Sequence, residues 1–137
     1  IKAVVGTTDF VKIVDVLKNK GYKLILATNP ILPLSAAINR MAFVELKTND
    51  FEYITAFENS TYCKPNPKYY EEILEKNNLN PKDCLMVGNN VLEDMIAKKS
   101  GIETYLVTDV LENEYNLDYS KYNQGTLKDF YKKVCEL

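Results

Sequence analysis

The chain has 137 residues, of which 46% are hydrophobic, and its 17 basic and 19 acidic side chains give a formal net charge of -2 at pH 7. These values fit a single compact domain over residues 1–137 and provide no basic face for nucleic acid, and no apolar run is long enough to span a membrane. Histidine is absent and the three cysteines form no CxxC pair, which excludes Ser-His-Asp and Cys-His catalysis and favours a reducing, cytoplasmic compartment.

The first part of the chain predicts alternating strands and helices. Apolar residues that recur at helical spacing from Phe10 predict a helix from Asp9 to Lys20, with Asp9 as N-cap and Gly21 just beyond the end. Short apolar runs without strict alternation are typical of strands that are covered on both faces. The other elements predicted here are strands at Ile1 to Val5, Leu24 to Ala27 and Phe51 to Ala56, and a weaker helix from Leu34 to Phe43.

The second part continues the alternation. Tyr70, Ile73 and Leu74 share one stripe of a helix predicted from Pro67 to Asn78, with Asn66 as its cap. Two further strands, two further helices and a surface loop are predicted at Cys84 to Val87, Thr104 to Val107, Val91 to Lys99, Thr126 to Cys135 and Asn113 to Gln124. This order predicts an α/β fold, a doubly wound Rossmann-like three-layer sandwich with a mainly parallel sheet.

Polar residues follow three of these runs, where ligands bind in an open parallel sheet. Thr28 and Asn29 come directly after the run that ends at Ala27, and their hydroxyl, amide and backbone N–H groups are suited to a phosphoryl oxygen, although Thr-Asn-Pro is also a common turn. Lys64 lies between Cys63 and Pro65 on extended backbone, which constrains an ammonium that would otherwise be an ordinary surface charge.

The third polar cluster is the stretch Gly88-Asn89-Asn90-Val91-Leu92-Glu93-Asp94. Its carboxylates are hard oxygen ligands of the kind that Mg²⁺ prefers. The simpler interpretation is the first turn of a helix, whose acidic residues offset the helix macrodipole.

Together and in this order, the three clusters resemble the motifs of the haloacid dehalogenase-like (HAD) hydrolase superfamily, subfamily I, over nearly the whole chain. Thr28 matches the second motif, whose hydroxyl binds the transferring phosphoryl group, and Lys64 with its Lys-Pro-x-Pro context matches the lysine of the third. Gly88 to Asp94 matches the fourth, which holds magnesium. The resemblance implies a HAD-like core, a Mg²⁺ cofactor and a small phosphorylated substrate, with catalytic Thr28, Asn29 and Lys64.

Two departures qualify the resemblance. The fourth motif normally places an aspartate at the first or second position after the glycine, and this chain has Asn89 and Asn90 there. The metal candidates are therefore Asp94, Asn89 and Asn90, with Glu93 less favoured, and a weakened or absent Mg²⁺ site is expected because an amide carries no charge. The first motif, DxDxT, which supplies the aspartyl nucleophile, occurs nowhere in the 137 residues, so this chain alone is predicted to be inactive.

Two explanations of the missing motif stay open. The chain is interpreted first as a fragment that begins with Ile1, whose larger parent supplies the nucleophile strand and a cap, or whose second copy completes the sheet. Alternatively, Ile1 to Val5 is the central strand, with Gly6 at the nucleophile position and Thr8 at that of the second aspartate. The function predicted is a magnesium-dependent phosphohydrolase acting through an aspartyl-phosphate, and the alternative is a non-catalytic HAD-like binding domain with a decayed metal site.

Overall fold

The computed structural model describes residues 8–31, 33–36, 39 and 48–137. The chain divides into two compact units, one formed by Ile1–Ser60 with Lys128–Leu137 and the other by Thr61–Leu127. The single domain over residues 1–137 stays a prediction.

Helices and parallel strands alternate along the described residues, which confirms the predicted α/β class. In chain order the elements are α1 Thr8–Asn19, β1 Ile25–Leu26, β2 Tyr53–Ile54, α2 Lys68–Lys76, β3 Leu85–Gly88, β4 Glu103–Val107, β5 Gln124–Gly125 and α3 Leu127–Cys135. Short 3₁₀ segments lie at Thr48–Asp50, Phe57–Asn59, Pro81–Asp83 and Met95–Ser100.

The first unit contains a pair of parallel strands. β1 pairs with β2, with Ile25 opposite Tyr53 and Leu26 opposite Ile54. Val14 of α1 and Leu26 are buried together, because the apolar stripe of α1 covers the sheet. Their neighbours in this cluster are Val11, Leu24, Phe51 and Ile54.

Helix α1 ends as the sequence predicts. Gly21 has a φ of 86°, a left-handed conformation that favours glycine. The N–H of Tyr22 donates to the carbonyl of Leu17 at 3.1 Å and the N–H of Gly21 to that of Lys18 at 3.0 Å, so the last carbonyls of the helix are satisfied. The predicted N-cap at Asp9 was wrong, because the helix begins at Thr8 and a capping residue precedes the first helical residue.

The second unit contains a parallel sheet in which β4 lies between β3 and β5. β4 is a nearly continuous apolar strand, and its residues Thr104 to Val107 are all buried. Leu106 packs with Val91 and Met95, which follow β3 in the chain. The partly buried neighbours of this second cluster are Leu111, Tyr119 and Tyr122.

One prediction about local structure needs correction, and one strand needs to be added. The helix predicted from Val91 to Lys99 was wrong in type, because residues 91–94 form a turn that leads into the 3₁₀ segment Met95–Ser100. The backbone hydrogen bonds in this stretch span either four or three residues. The N–H of Ile96 donates to the carbonyl of Leu92, four residues earlier, and the N–H of Ala97 donates to the carbonyl of Asp94, three residues earlier. β5 was not predicted, since its two residues carry no apolar pattern.

Other predicted elements fall partly outside the described residues. Residues 34–36 and 39 are helical, and the rest of the helix predicted from Leu34 to Phe43 lies outside them, as does the strand predicted from Ile1 to Val5. Within the described part of the chain, no helix has the length and apolar character that a bilayer crossing requires.

Two buried threonines differ in whether their hydroxyl groups are hydrogen-bonded. Among the described residues, Thr104 Oγ1 is a buried polar atom without a hydrogen-bond partner, whereas Thr55 Oγ1 accepts from the N–H of Thr28 at 2.8 Å and donates to the carbonyl of Thr28 at 2.7 Å. Thr104→Val is expected to raise the free energy of unfolding by about 1 kcal/mol, because it removes an unsatisfied group. Thr55→Val is expected to lower it by about 1–2 kcal/mol. Urea denaturation measures the change in the free energy of unfolding of each variant. A lower free energy of unfolding for Thr104→Val would contradict the first of these predictions.

Candidate functional site

The carboxyl ends of β1 and β2 are tied together by threonine hydroxyls. Thr28, just after β1, is half-buried, and Thr55, just after β2, is 1% exposed. Thr55 Oγ1 bonds both the N–H and the carbonyl of Thr28, and the Thr28 hydroxyl lies 3.4 Å from the Thr55 carbonyl. Thr55 therefore fixes the backbone of Thr28 at the end of the strand.

Asn29 continues this edge as part of a tight turn. Its carbonyl accepts a hydrogen bond from the N–H of Ile31 at 2.9 Å, and its side chain is half-buried. Both interpretations of the Thr-Asn-Pro sequence are compatible with this geometry, since the segment is a turn and also lies at the carboxyl end of a strand.

Lys64 and Asp94, which are 30 residues apart in sequence, form a buried ion pair within the second unit. Lys64 Nζ lies 2.5 Å from Asp94 Oδ1, and each side chain is only 7% exposed. The Lys64 ammonium also lies 5.8 Å from the centroid of the Tyr69 ring, where the face of an aromatic ring attracts a cation. Both charges are largely removed from water, so the strength of the pair depends on its geometry and on further hydrogen bonds.

The second oxygen of Asp94 is held by the backbone of the turn after β3. The N–H groups of Asn89 and Asn90 each donate to Asp94 Oδ2 at 3.0 Å. A Cβ at position 88 would overlap the Asp94 carboxylate, so Gly88 is required by this close approach rather than by a left-handed backbone. Successive N–H groups that point at one anion form a concave anion-binding turn.

The side chains of Asn89 and Asn90 brace the same turn. Asn90 Oδ1 accepts from the N–H of Leu92 at 3.0 Å and from that of Glu93 at 2.8 Å. Asn89 Nδ2 donates to the carbonyl of Val110 at 2.9 Å. The segment after β4 runs alongside, since Glu112 forms an isolated parallel bridge with Asn90.

Tyr70 connects helix α2 to this turn. Its hydroxyl donates to the carbonyl of Glu93 at 2.7 Å. Burial, followed by the negative charge of Asp94, raises the pKa of Tyr70 well above its usual value, so the hydroxyl keeps its proton and stays a donor. Helix α2 thus holds the turn through Tyr70. Helix α2 begins at Lys68 with Pro67 at its N-cap position, so the predicted cap at Asn66 was one residue early, although Asn66 Oδ1 accepts from the N–H of Lys68 at 3.0 Å.

Gly88→Ala tests the close approach at the turn. The added methyl group meets the Asp94 carboxylate, so we expect a loss of about 1–3 kcal/mol in the free energy of unfolding, as for other overpacked sites. Gly21→Ala is the control, because a Cβ at position 21 has nothing within 4 Å and its cost is limited to backbone strain at a φ of 86°. Thermal unfolding compares the two, and an unchanged midpoint for Gly88→Ala would contradict the description of the turn.

The described structure brings some of the predicted site residues together. Lys64, Asp94, Asn89 and Asn90 lie in one hydrogen-bonded cluster in the second unit. Thr28 and Asn29 belong to the first unit, and their convergence with Lys64 on one pocket stays a prediction. Glu93 contributes its backbone to the turn.

The sequence analysis did not single out Thr55 or Tyr70. No local signal marks Thr55, whose contact with Thr28 depends on the pairing of β1 with β2. Tyr70 was predicted only as part of the apolar stripe of a helix.

The donor set of the turn does not fit a directly bound divalent cation. Asp94 Oδ1 faces the Lys64 ammonium, Asp94 Oδ2 faces two N–H groups, and Asn90 Oδ1 accepts from two more. A search of the described residues finds no group of three or more His, Cys, Asp or Glu side chains arranged to hold a metal ion. The roles of Asp94, Asn89 and Asn90 as metal ligands stay predictions, and no step below passes through a metal.

Comparison with known proteins defines the class. A model of the haloacid dehalogenase-like hydrolase family matches residues 2–107, and the chain belongs to this family. A search of curated proteins found no match.

Solved structures share the fold at low sequence identity. A protein from Haemophilus somnus described as a predicted phosphoglycolate phosphatase aligns with a TM-score of 0.75 and 21% identity, over 93% of this chain and 56% of that one. A HAD phosphatase from Thermococcus onnurineus gives 0.72 and 22%, over 93% and 57%. The L-2-haloacid dehalogenase from Xanthobacter autotrophicus gives 0.73 and 15%, over 96% and 61%. The chain thus spans little more than half the length of these proteins.

Proposed function

We propose that this chain is the phosphoryl-binding part of a phosphohydrolase that acts on a small phosphorylated metabolite, with the nucleophilic aspartate outside these 137 residues. The observation that carries the proposal is the Lys64–Asp94 pair, because it joins the residues that match the third and fourth HAD motifs, 30 positions apart, in one buried cluster. Lysine side chains are rarely this buried, so the 7% exposure of Lys64 sets it apart from an ordinary solvated surface lysine.

Each proposed residue has a distinct task in phosphoryl transfer. The ammonium of Lys64 offsets the negative charge that the phosphoryl group and the attacking carboxylate bring together. The hydroxyl of Thr28 and the backbone N–H of Asn29 orient the phosphoryl oxygens at the end of β1. Transfer to the aspartate releases the alcohol, and water then hydrolyses the acyl-phosphate and releases inorganic phosphate.

The class of substrate is proposed from the related structures. Two of the three proteins named above are described as phosphatases, one of them as a predicted one, and the third as a haloacid dehalogenase, so a phosphate ester and a 2-haloacid are the two substrate classes to compare. The buried ammonium of Lys64 suits a phosphoryl group better, because a phosphate ester brings more negative charge to neutralise than a carbon–halogen bond does.

The experiment is an assay of the full-length encoded protein with a generic phosphate ester and with a 2-haloacid, each with and without MgCl₂. We expect the protein to release phosphate from the ester and to release no halide from the 2-haloacid. The resemblance implies Mg²⁺ as cofactor, and the two metal conditions test this separately. Inactivity on the ester in both conditions would overturn the proposal. Halide release from the 2-haloacid would show that the protein is a dehalogenase instead.

A specific observation favours a second candidate, a non-catalytic HAD-like binding domain. The fourth HAD motif normally carries an aspartate at the first or second position after the glycine, where this chain has Asn89 and Asn90. The amide oxygen of Asn90 instead caps the turn by accepting from the N–H groups of Leu92 and Glu93. Asn90→Asp discriminates between the candidates. A large gain in Mg²⁺ affinity without activity in the full-length protein would favour the binding domain.

A further inference from the structure

Three donors converge on a single carboxylate inside the second unit. Asn89 N–H and Asn90 N–H both reach Asp94 Oδ2 at 3.0 Å, and Lys64 Nζ reaches Asp94 Oδ1 at 2.5 Å. The position of Gly88 lets the backbone approach closely, since any Cβ there would overlap the carboxylate. The three donors and the glycine together form a cradle around one negative charge.

The cradle is buried. The side chains of Lys64 and Asp94 are each 7% exposed, and Asp94 as a whole residue is 5% exposed. The Lys64 ammonium bonds one oxygen of the Asp94 carboxylate, and the two N–H groups bond the other. The carboxylate therefore has both oxygens bonded without any group from outside the unit.

We infer that the turn from Gly88 to Asp94 is an internal anion-binding site, filled by the chain's own Asp94 carboxylate, and that it does not bind a divalent cation. When the carboxylate is removed, the ligand that the site takes is a small carboxylate such as formate. This inference goes beyond the proposed function, because it holds whether the full protein is a hydrolase or a binding domain.

The polarity of the turn supports an anion over a cation. A divalent cation next to Asp94 would have to displace the Lys64 ammonium or face the hydrogen-bearing ends of the Asn89 and Asn90 N–H groups, and both are repulsive. The nearest amide oxygen, Asn90 Oδ1, already accepts two hydrogen bonds. Removing the Asp94 carboxylate would leave three donors, one of them the positively charged Lys64 ammonium, around a vacant volume the size of a carboxylate.

The first experiment uses the unaltered chain and reads the turn directly. The ¹⁵N amide resonances of Asn89 and Asn90 are followed while MgCl₂ is added, with NaCl at equal ionic strength as the control. We expect no shift beyond that of NaCl. A saturable shift at these two amides that only MgCl₂ produces would overturn the inference, whatever Mg²⁺ does elsewhere in the chain.

The second experiment vacates the site. Asp94→Ala is unfolded by heat in sodium formate and in the same concentration of sodium chloride. We expect formate to raise the midpoint of the variant by several degrees over chloride and to leave the unaltered chain unchanged, because a ligand that binds only the folded state stabilises it. Equal midpoints in the two salts would count against the anion site.

Two further variants make this second experiment specific. Asp118→Ala removes a carboxylate that also accepts hydrogen bonds, from the N–H and the hydroxyl of Ser120, but lies exposed, and we expect no formate effect there. Lys64→Met combined with Asp94→Ala removes the ammonium, and we expect the formate effect to disappear. If Asp94→Ala does not fold in chloride but folds in formate, the result supports the anion site. If the variant is unfolded in both salts, the amide titration of the unaltered chain decides whether the inference holds.

Discussion

Lys64→Met is expected to lower the free energy of unfolding by about 3–5 kcal/mol, one of the largest effects of any single substitution in the second unit. The substitution removes the ammonium from Asp94 Oδ1 and leaves a carboxylate that is 7% exposed without a counter-charge. The two N–H bonds from Asn89 and Asn90 remain, but they do not neutralise the charge. Urea denaturation, with the midpoint shifted and the slope unchanged, measures the loss.

Two controls separate the loss of the pair from the loss of a lysine. Lys76→Met breaks an exposed pair with Glu72 at 3.5 Å, and we expect a change of at most about 0.5 kcal/mol. Lys64→Met combined with Asp94→Asn makes both positions neutral, so we expect it to be more stable than Lys64→Met alone. If the double variant loses as much free energy of unfolding as Lys64→Met and Asp94→Asn lose together, the two side chains contribute to stability independently and the ion pair adds nothing.

Thr28→Val is expected to lower kcat/KM of the full-length protein for a phosphate ester by about 10²-fold, a prediction that rests on the proposed function. The reason is the loss of a hydroxyl donor to the phosphoryl group in the transition state. The fold should tolerate the change, because the strong bonds at this position join the Thr28 backbone to Thr55 Oγ1 at 2.8 and 2.7 Å.

Thr28→Ser is the matched variant, since it restores the hydroxyl without the methyl group. We expect it to keep most of the activity, and steady-state kinetics with thermal unfolding of all three proteins distinguishes catalysis from stability. Equal activity of the valine and serine variants would remove Thr28 from the mechanism.

Local patterns were sufficient to predict the elements that carry them. The apolar runs of β3 and β4 predicted parallel strands, and the alternation of these runs with apolar helical stripes predicted the α/β class. The expected burial was right for β4 and wrong for β3, whose Leu85 is exposed and whose other residues are half-buried. Gly21 was predicted as the end of α1 because a left-handed residue is needed there and glycine takes that conformation at low cost. These features depend on a few neighbouring residues, which a sequence displays directly.

Features that depend on distant partners were harder to predict. β5 exists because Gln124 and Gly125 pair with Leu106 and Val107, and neither residue has a strand pattern of its own. Thr55 bonds Thr28 only because β1 and β2 pair in one particular register.

The turn after β3 shows the same limit at the candidate site. A helix was predicted from Val91, and Asn90 Oδ1 does accept from the N–H groups of Leu92 and Glu93 as an N-cap would. Residues 91–94 nevertheless form a turn, and a 3₁₀ segment follows it. Lys64 and Asp94 were both identified as site residues from their motifs. Their pairing was not predicted, because nothing in the sequence indicates that a carboxylate expected to serve a metal will bond the lysine instead.

The loop between β4 and β5 closes on itself at its tip, which offers a place for a probe. Asn113 Oδ1 accepts from the N–H of Leu117 at 2.9 Å and Asn113 Nδ2 donates to the carbonyl of Leu117 at 2.8 Å, while the residues between them are exposed. An epitope tag or a fluorophore inserted between Tyr115 and Asn116 would therefore project into solvent outside Val110 and Glu112, the residues that contact the turn after β3. Such a labelled protein could be immobilised or observed one molecule at a time with the turn after β3 unaltered.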